Sequence, residues 1–315
     1  MTDTGPNTKA LQEAIDGALD LVQDRSRRAT LREGETLGSL LEQCQAWTRD
    51  AQKAAVPIRM IHHFACTGGT VISKGLATMP NTVVLSEIDP LSRLNEPREK
   101  KPSFTPNSLI KQLMYSRFDQ SDDLVSEMFL ASLDVLYKHL TQRGQDLIIR
   151  DHPHSHFCDD GRSLKSRGTR DIVASRYDVR SLATVRHPMA SFLSLSSHGW
   201  FEFSPATLEE YARRYMLFLD SLADAPILKY EDFTHTPEDF LEQACRLLDL
   251  EYRLGGTALL SAVRMSGDSG RKDSIIAPRP NREMPPEVQK QIDISPAYIA
   301  LCTRLSYDPA FTEPP

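Results

Sequence analysis

The stretch Ile58-Arg59-Met60-Ile61-His62-His63-Phe64-Ala65-Cys66-Thr67-Gly68-Gly69-Thr70 decides how the rest of the chain is read. Ile58 to Phe64 is a short apolar-rich run of the kind that forms a buried strand. It follows Pro57 and ends in a glycine-containing loop, and Val71 to Met79 continues at once as a helical run. A strand, a tight glycine loop and a helix in direct succession form half of a parallel βαβ unit. Gly68 and Gly69 carry no side chains, so the backbone can approach a bulky anion there. The first N–H groups of the following helix have no internal partners and point at such a ligand. Thr67 and Thr70 add hydroxyls. The loop therefore reads as a phosphate cradle. It is not Gly-x-x-x-x-Gly-Lys-Ser/Thr, because no lysine follows the second glycine, and an ATP-binding loop needs that lysine and a hydroxyl for magnesium.

Outward from this loop the same alternation repeats. Thr82 to Leu85 reads as a second strand after the Pro80-Asn81 turn. Residues 89–106 hold four prolines and no periodicity, which predicts a loop. Asn107–Phe118 and Asp122–Gln142 have helical spacing, Asp146–Arg150 is a short apolar strand, and 159–180 reads as a polar, basic loop region. Ser181–Val185 and Ile227–Tyr230 are further strands. Helices are predicted after Pro188, over Ala206–Leu222, over Pro237–Leu248, and near 286–292 and 296–304. Strands separated by helices predict an α/β fold, a parallel sheet flanked by helices. Residues 1–55 carry apolar residues at helical spacing and read as a helical N-terminal extension, with the α/β domain over 56–315. In such sheets ligands gather at the C-terminal ends of the strands, and each polar motif singled out here lies at such an end.

Arg186-His187-Pro188 closes one strand and opens a helix. Pro188 suits the first helical turn, and Arg186 at the strand end is a forked donor for phosphate. Ser194 follows two turns later. Together these pieces resemble the sulfotransferases that use 3′-phosphoadenosine 5′-phosphosulfate (PAPS). That family has a strand–loop–helix cradle for the 5′-phosphosulfate, then a strand ending Arg-x-Pro with a serine eight positions after the arginine, both for the 3′-phosphate. Arg186 and Ser194 have that separation. A later strand ending Tyr-Glu-Asp places its tyrosine near the adenine, and Leu228-Lys229-Tyr230-Glu231-Asp232-Phe233 matches it. The tail Ser266-Gly267-Asp268-Ser269-Gly270-Arg271 with Pro278-Arg279-Pro280 resembles the closing segment of bacterial members. The resemblance spans about residues 56–310 and implies a P-loop-like fold. It also implies a PAPS site of Thr67, Gly68, Gly69, Thr70, Arg186, Ser194, Tyr230 and Arg271. The acceptor would be a small molecule, lipid or carbohydrate presenting a hydroxyl or amine.

The family's cradle lysine falls on Cys66 here, and Lys74, one turn beyond Thr70, is the proposed partial substitute. Two residues at strand ends are candidate bases. Ile149-Arg150-Asp151-His152 resembles the Lys-x-His segment of cytosolic members, with Arg150 as the cation and His152 as the base. Leu85-Ser86-Glu87 resembles the segment that supplies a catalytic glutamate in other branches. His152 is slightly favoured over Glu87. The rival readings are a kinase-like P-loop enzyme, disfavoured by the missing Gly-Lys-Ser/Thr, and a non-catalytic nucleotide- or glycan-binding relative, encouraged by Cys66.

Composition bounds these readings. The chain has 315 residues and 37 Lys plus Arg against 43 Asp plus Glu, a net charge of −6. That balance argues against a nucleic-acid binder. Locally it reverses: Arg143–Arg186 holds nine basic against six acidic residues, and Arg264–Arg282 five against two. Five scattered cysteines without a Cys-x-x-Cys predict no disulfide framework and a reducing, cytoplasmic setting. No basic start followed by an apolar run predicts a signal peptide, and no apolar stretch is long enough to span a membrane. His152, His154, His156 and Cys158 alternate as metal ligands on a strand might be imagined to do, but no second ligand pair has zinc spacing and Pro153 breaks a ladder. No metal is expected. Gly267-Asp268-Ser269-Gly270 resembles the nucleophile segment of trypsin-like proteases, whose all-β fold does not suit this chain. His62 and His63 stand at a strand end, either near a ligand or partly buried.

Overall fold

A computed structural model of the chain describes residues 56–93, 105–116, 121–267 and 276–311. The expected helical extension over 1–55, most of the proline-rich loop and Arg271 lie outside the described residues. In chain order the elements begin with β1 (Ile58–His63), α1 (Gly69–Leu76), β2 (Thr82–Ile88), α2 (Leu109–Met114), α3 (Asp122–Thr141) and β3 (Asp146–Asp151). Next come α4 (His154–Phe157), α5 (Thr169–Ala174), β4 (Val179–Val185), α6 (Pro188–His198), α7 (Leu208–Asp220) and β5 (Ile227–Lys229). The chain closes through α8 (Tyr230–His235), α9 (Pro237–Leu248), α10 (Pro286–Ile292) and α11 (Pro296–Leu305).

The five strands form one sheet in the order β2-β3-β1-β4-β5, every neighbouring pair parallel. β1 is central and has β3 on one side and β4 on the other. Ile61 pairs with Arg150, and His63 with Thr184, so the ends of three strands finish level. Alternation sends successive side chains to opposite faces. Ile61, Ile148 and Leu182 pack under α1 and α9 with Ile72, Leu76, Phe240 and Leu241. Ile58, Met60, Leu147 and Ile149 pack under α3 and α5 with Leu133, Ile172 and Val173. A further cluster gathers beyond the strand ends, where Phe64 meets Tyr211, Tyr215 and Phe218 of α7.

Local sequence accounts for the helix starts. Ser121 caps α3 by accepting from the Leu124 N–H at 3.2 Å, with Asp122 and Asp123 in the first turn, where carboxylates favour the helix dipole. Thr207 does the same for α7 at 3.3 Å. Pro188 and Pro237 occupy first turns as expected.

Two expectations are corrected. β2 runs to Ile88 rather than stopping at Leu85, because the pairing resumes at Ile88↔Asp151 after a register shift. Residues 159–180 are not all loop: α5 and the start of β4 fall inside them, since Ile172 and Val173 bury an apolar pair too short for periodicity to show. Pro153 ends the strand run as read from the sequence, and His154–Phe157 is a helical turn. No helix among the described residues is long and apolar enough to cross a membrane.

Phe64 is fully buried and stacks on Tyr215 with ring centroids 4.4 Å apart. It anchors the start of the glycine loop to α7. Phe64→Ala is expected to cost about 3–5 kcal/mol of unfolding free energy, measured as a lowered denaturant midpoint. A midpoint equal to wild type would show that the stack does not hold the loop.

Candidate functional site

The loop from Phe64 to Thr70 leaves the central strand at the crevice where the chain turns to either side, the place where parallel sheets bind ligands. Thr67 is fully buried and its hydroxyl donates to the Phe64 carbonyl at 2.7 Å, so it shapes the turn rather than presenting a free donor. Gly68 has φ of 84°, and a Cβ there would lie 2.2 Å from the Tyr230 ring. A Cβ on Gly69 would lie 2.1 Å from the His63 ring. Both glycines are therefore required by rings packed against the loop, and Gly68 also by its left-handed backbone. Cys66 takes φ of 62° without being glycine. Helix α1 starts with no side-chain cap and no acidic residue in its first turn, which leaves its N–H groups open to an anion.

On one flank stand the nucleotide-side candidates. Arg186 donates to the Cys66 carbonyl at 3.3 Å and lies 5.1 Å from the Tyr230 ring centroid. The Cys66 thiol is pushed up by burial, against the opposing influence of a hydrogen bond with Ser194 and the charges of Arg186 and Arg282. Cys66, Arg186, Ser194 and Tyr230 thus meet around the loop. Arg282 joins them, donating to Ser197 Oγ at 2.9 Å one turn along α6 from Ser194. Sequence reasoning did not single out Arg282, and its signal was the basic excess of the 264–282 segment.

The other flank holds the two candidate bases. Arg150 is buried and donates to Glu87 Oε1 at 2.5 Å, Ser86 Oγ at 2.7 Å and Thr70 Oγ1 at 2.9 Å. It also meets His63 Nε2 from both Nε and NH2, at 3.1 and 2.9 Å. A guanidinium only donates, so His63 Nε2 accepts and its proton sits on Nδ1. Burial first, and then the Arg150 charge, holds the His63 pKa well below the usual imidazole range. The two candidate bases are not alternatives in space: His152 Nε2 lies 2.9 Å from Glu87 Oε2. Burial pushes the Glu87 carboxyl upward, but the hydrogen bond from His152 and the charge of Arg150 outweigh it, and its pKa is lowered. Glu87 sits in the irregular part of β2 with φ of 62°, a bulge that turns its side chain toward Arg150 and His152.

The segment Ser266-Gly267 crosses this flank. Thr70 Oγ1 donates to the Gly267 carbonyl at 3.0 Å, and Ser266 Oγ to the Ser86 carbonyl at 3.0 Å. Arg150 reaches the Ser266 carbonyl at 3.2 Å. Lys74 is buried in α1 rather than a solvated surface lysine. His62 and His63 are both buried, and His62 bonds Asp151 Oδ2 at 2.6 Å and Ser181 Oγ at 3.0 Å.

No family model and no curated protein sequence matches the chain. Its fold is similar to that of solved sulfotransferases. The sulfotransferase from Alicyclobacillus acidocaldarius is 15% identical, over 81% of this chain and 98% of that one, with a TM-score of 0.45. The sulfotransferase domain from the curacin biosynthetic pathway is 15% identical over 81% and 99%, TM-score 0.47. The sulfotransferase domain from the Synechococcus PCC 7002 olefin synthase is 17% identical over 81% and 96%, TM-score 0.48.

His156, next to the site, is buried, and burial followed by the Arg162 charge lowers its pKa to about 4. The unfolded chain takes up this proton near pH ~6.5, the folded chain only near 4. Stability contributed by neutral His156 is therefore present above ~6.5 and lost as pH falls toward 4, by about 3 kcal/mol in all. His156→Gln is expected to flatten acid destabilisation in that window, read from denaturant midpoints at pH 7, 5.5 and 4. An unchanged slope would remove His156 from the account.

Proposed function

We propose that the protein is a PAPS-dependent sulfotransferase acting on the hydroxyl or amine of a small-molecule, lipid or carbohydrate acceptor. The observation that carries this reading is the position of Arg150, which donates both to Thr70 of the anion cradle and to Glu87 of the Glu87–His152 pair. One guanidinium thus spans the place for a transferable anionic group and the place for a proton acceptor. In-line sulfuryl transfer needs these two adjacent, as phosphoryl transfer does.

The residues present suit the nucleotide. The uncapped N–H groups of α1, with Gly68 and Gly69, would hold the 5′-phosphosulfate. Arg186, Ser194 and Arg282 would hold the 3′-phosphate, and Tyr230 would flank the adenine. Arg271 keeps the phosphate-binding role that the sequence suggests for it. Arg150, at the rim of the cradle, supplies positive charge where the family's lysine is replaced by Cys66, and Lys74 in α1 is a second cation. The bound nucleotide supplies the sulfuryl group and the leaving bisphosphate. Glu87 and His152 receive the acceptor's proton, and Arg150 keeps Glu87 oriented while it does so.

Calorimetry with adenosine 3′,5′-bisphosphate and with ATP tests the donor, and transfer from labelled PAPS to an acceptor panel tests the reaction. Bisphosphate is expected to bind and ATP to bind far more weakly. Arg186→Ala should weaken bisphosphate binding about 10- to 100-fold, the worth of a hydrogen bond to a charged group. Glu87→Gln and His152→Asn should each keep that binding and lower turnover about 10²- to 10⁴-fold. Preference for ATP, or full turnover in both base variants, would overturn the reading.

A further inference from the structure

The turn that carries Arg186 is held by residues that the proposed reaction does not itself use. The Arg186 N–H donates to the Tyr215 hydroxyl oxygen at 3.4 Å, and the His187 N–H donates to Glu231 Oε1 at 3.0 Å. Glu231 stands in the first turn of α8, just past the end of β5. Its other oxygen, Oε2, accepts the Tyr307 hydroxyl at 2.7 Å. Lys229, the last residue of β5, donates to the Ser306 carbonyl at 3.1 Å and lies 4.2 Å from the Tyr307 ring centroid. Residues 306–311, which follow α11, are thereby tied to the ends of β4 and β5.

Donor directions fix the state of His187. Its Nδ1 faces the Met189 N–H at 3.1 Å, and its Nε2 faces the Asp308 carbonyl at 2.9 Å. A backbone N–H only donates and a carbonyl only accepts. Nδ1 is therefore bare, and Nε2 carries the hydrogen. The Asp308 carbonyl also accepts the Phe311 N–H at 3.2 Å, one donor for each lone pair. His187 is thus the N-cap of α6, where its neutral ring fills a role usually taken by a short polar side chain. The ring packs against Tyr307 and Phe311, with centroids 5.0 and 4.6 Å away. Burial lowers its pKa, against the pull of the Asp308 carbonyl, and so keeps Nδ1 free to accept. Ser194 is carried by the helix that this ring caps.

We propose that His187, Glu231 and Tyr307 are positioning residues that clamp the turn between β4 and α6, so that Arg186 and Ser194 converge on one 3′-phosphate. The identity of the ligand rests on the sulfotransferase reading, whereas the clamp itself does not. Arg186 directly precedes the residue whose N–H Glu231 holds, and Ser194 lies along the helix that starts at the His187 cap. A turn that loosens moves these two donors apart. The proposed 5′-phosphate cradle lies on a different loop, after β1. Loosening the clamp therefore costs recognition of the 3′-phosphate and spares the rest of the nucleotide.

Calorimetry on the full chain compares adenosine 3′,5′-bisphosphate with adenosine 5′-monophosphate, which lacks the 3′-phosphate. Tyr307→Phe keeps the ring and removes one donor to Glu231, and His187→Ala removes the cap and the bond to Asp308. Each is expected to weaken bisphosphate binding about 3- to 10-fold, the worth of one hydrogen bond, and to leave monophosphate binding as in the wild type. His187→Asn, whose amide oxygen can still accept the Met189 N–H, should recover part of the His187→Ala loss. A loss shared equally by both nucleotides would overturn the proposal, and so would unchanged bisphosphate binding in Tyr307→Phe and His187→Ala. Amide hydrogen exchange reads the clamp without any nucleotide, and the His187 and Met189 amides of the wild type are expected to exchange more slowly than those of Tyr307→Phe and His187→Ala. If the wild type holds the bisphosphate no more tightly than the monophosphate, the functional reading falls. The exchange rates then still decide the clamp, and rates equal to wild type in both variants would overturn it.

Discussion

The buried guanidinium of Arg150 is the constraint around which the site is arranged. A charge removed from water must be met by well-placed acceptors, and removing one partner leaves the others exposed to a large penalty. Arg150 finds these acceptors on three neighbouring pieces of structure: His63 at the end of β1, Ser86 and Glu87 at the end of β2, and Thr70 at the start of α1. The level finish of β1, β2 and β3 is what lets one side chain reach them all. Its demand for acceptors also fixes chemistry. His63 has to be neutral, with its proton on Nδ1, because the only role left to Nε2 is acceptance. Glu87 is drawn into a left-handed backbone to meet the same cation.

The glycine loop shows how one motif can answer to a second physical cause. Two glycines before a helix read naturally as room for an anion. The folded chain uses them first for itself: the Tyr230 ring fills the space beside Gly68, and the His63 ring fills the space beside Gly69. Both rings belong to the site, one on each flank. The loop is therefore a joint between the Arg186–Tyr230 flank and the His63–Arg150–Glu87 flank, in addition to its open helix N-terminus. Phe64, stacked on Tyr215, fixes the joint to α7 from below.

Much of the architecture was legible because it depends on local pattern. Pro237–Leu248 and Pro286–Ile292 carry proline in the first turn and apolar residues at helical spacing, so their limits read off directly. The strand runs beginning at Ile58, Thr82 and Asp146 are short and apolar as buried parallel strands must be. The misses share a reason. Ser86-Glu87-Ile88 is polar in its middle and joins β2 only because β3 pairs with it beyond a bulge. Helix α5 is six residues long and shows no period of its own, and its two apolar residues are held by the sheet. Arg282 arrives from far along the chain, and nothing local distinguishes it from its basic neighbours.

From the sequence alone follow the alternation of strands and helices, the uncapped glycine loop after the first strand, and a short set of polar residues at strand ends, because each depends on neighbours within a few positions. Which of those residues touch was decided by the tertiary structure. Glu87 and His152 stood as rival bases 65 positions apart, and the parallel pairing of β2 with β3 makes them hydrogen-bonded partners. Asp89, Ser155 and Arg162 carry no signature of their own, and they meet behind His152 only in the folded chain. Contact across a sheet is a property of three-dimensional neighbours, and no spacing along a chain encodes it.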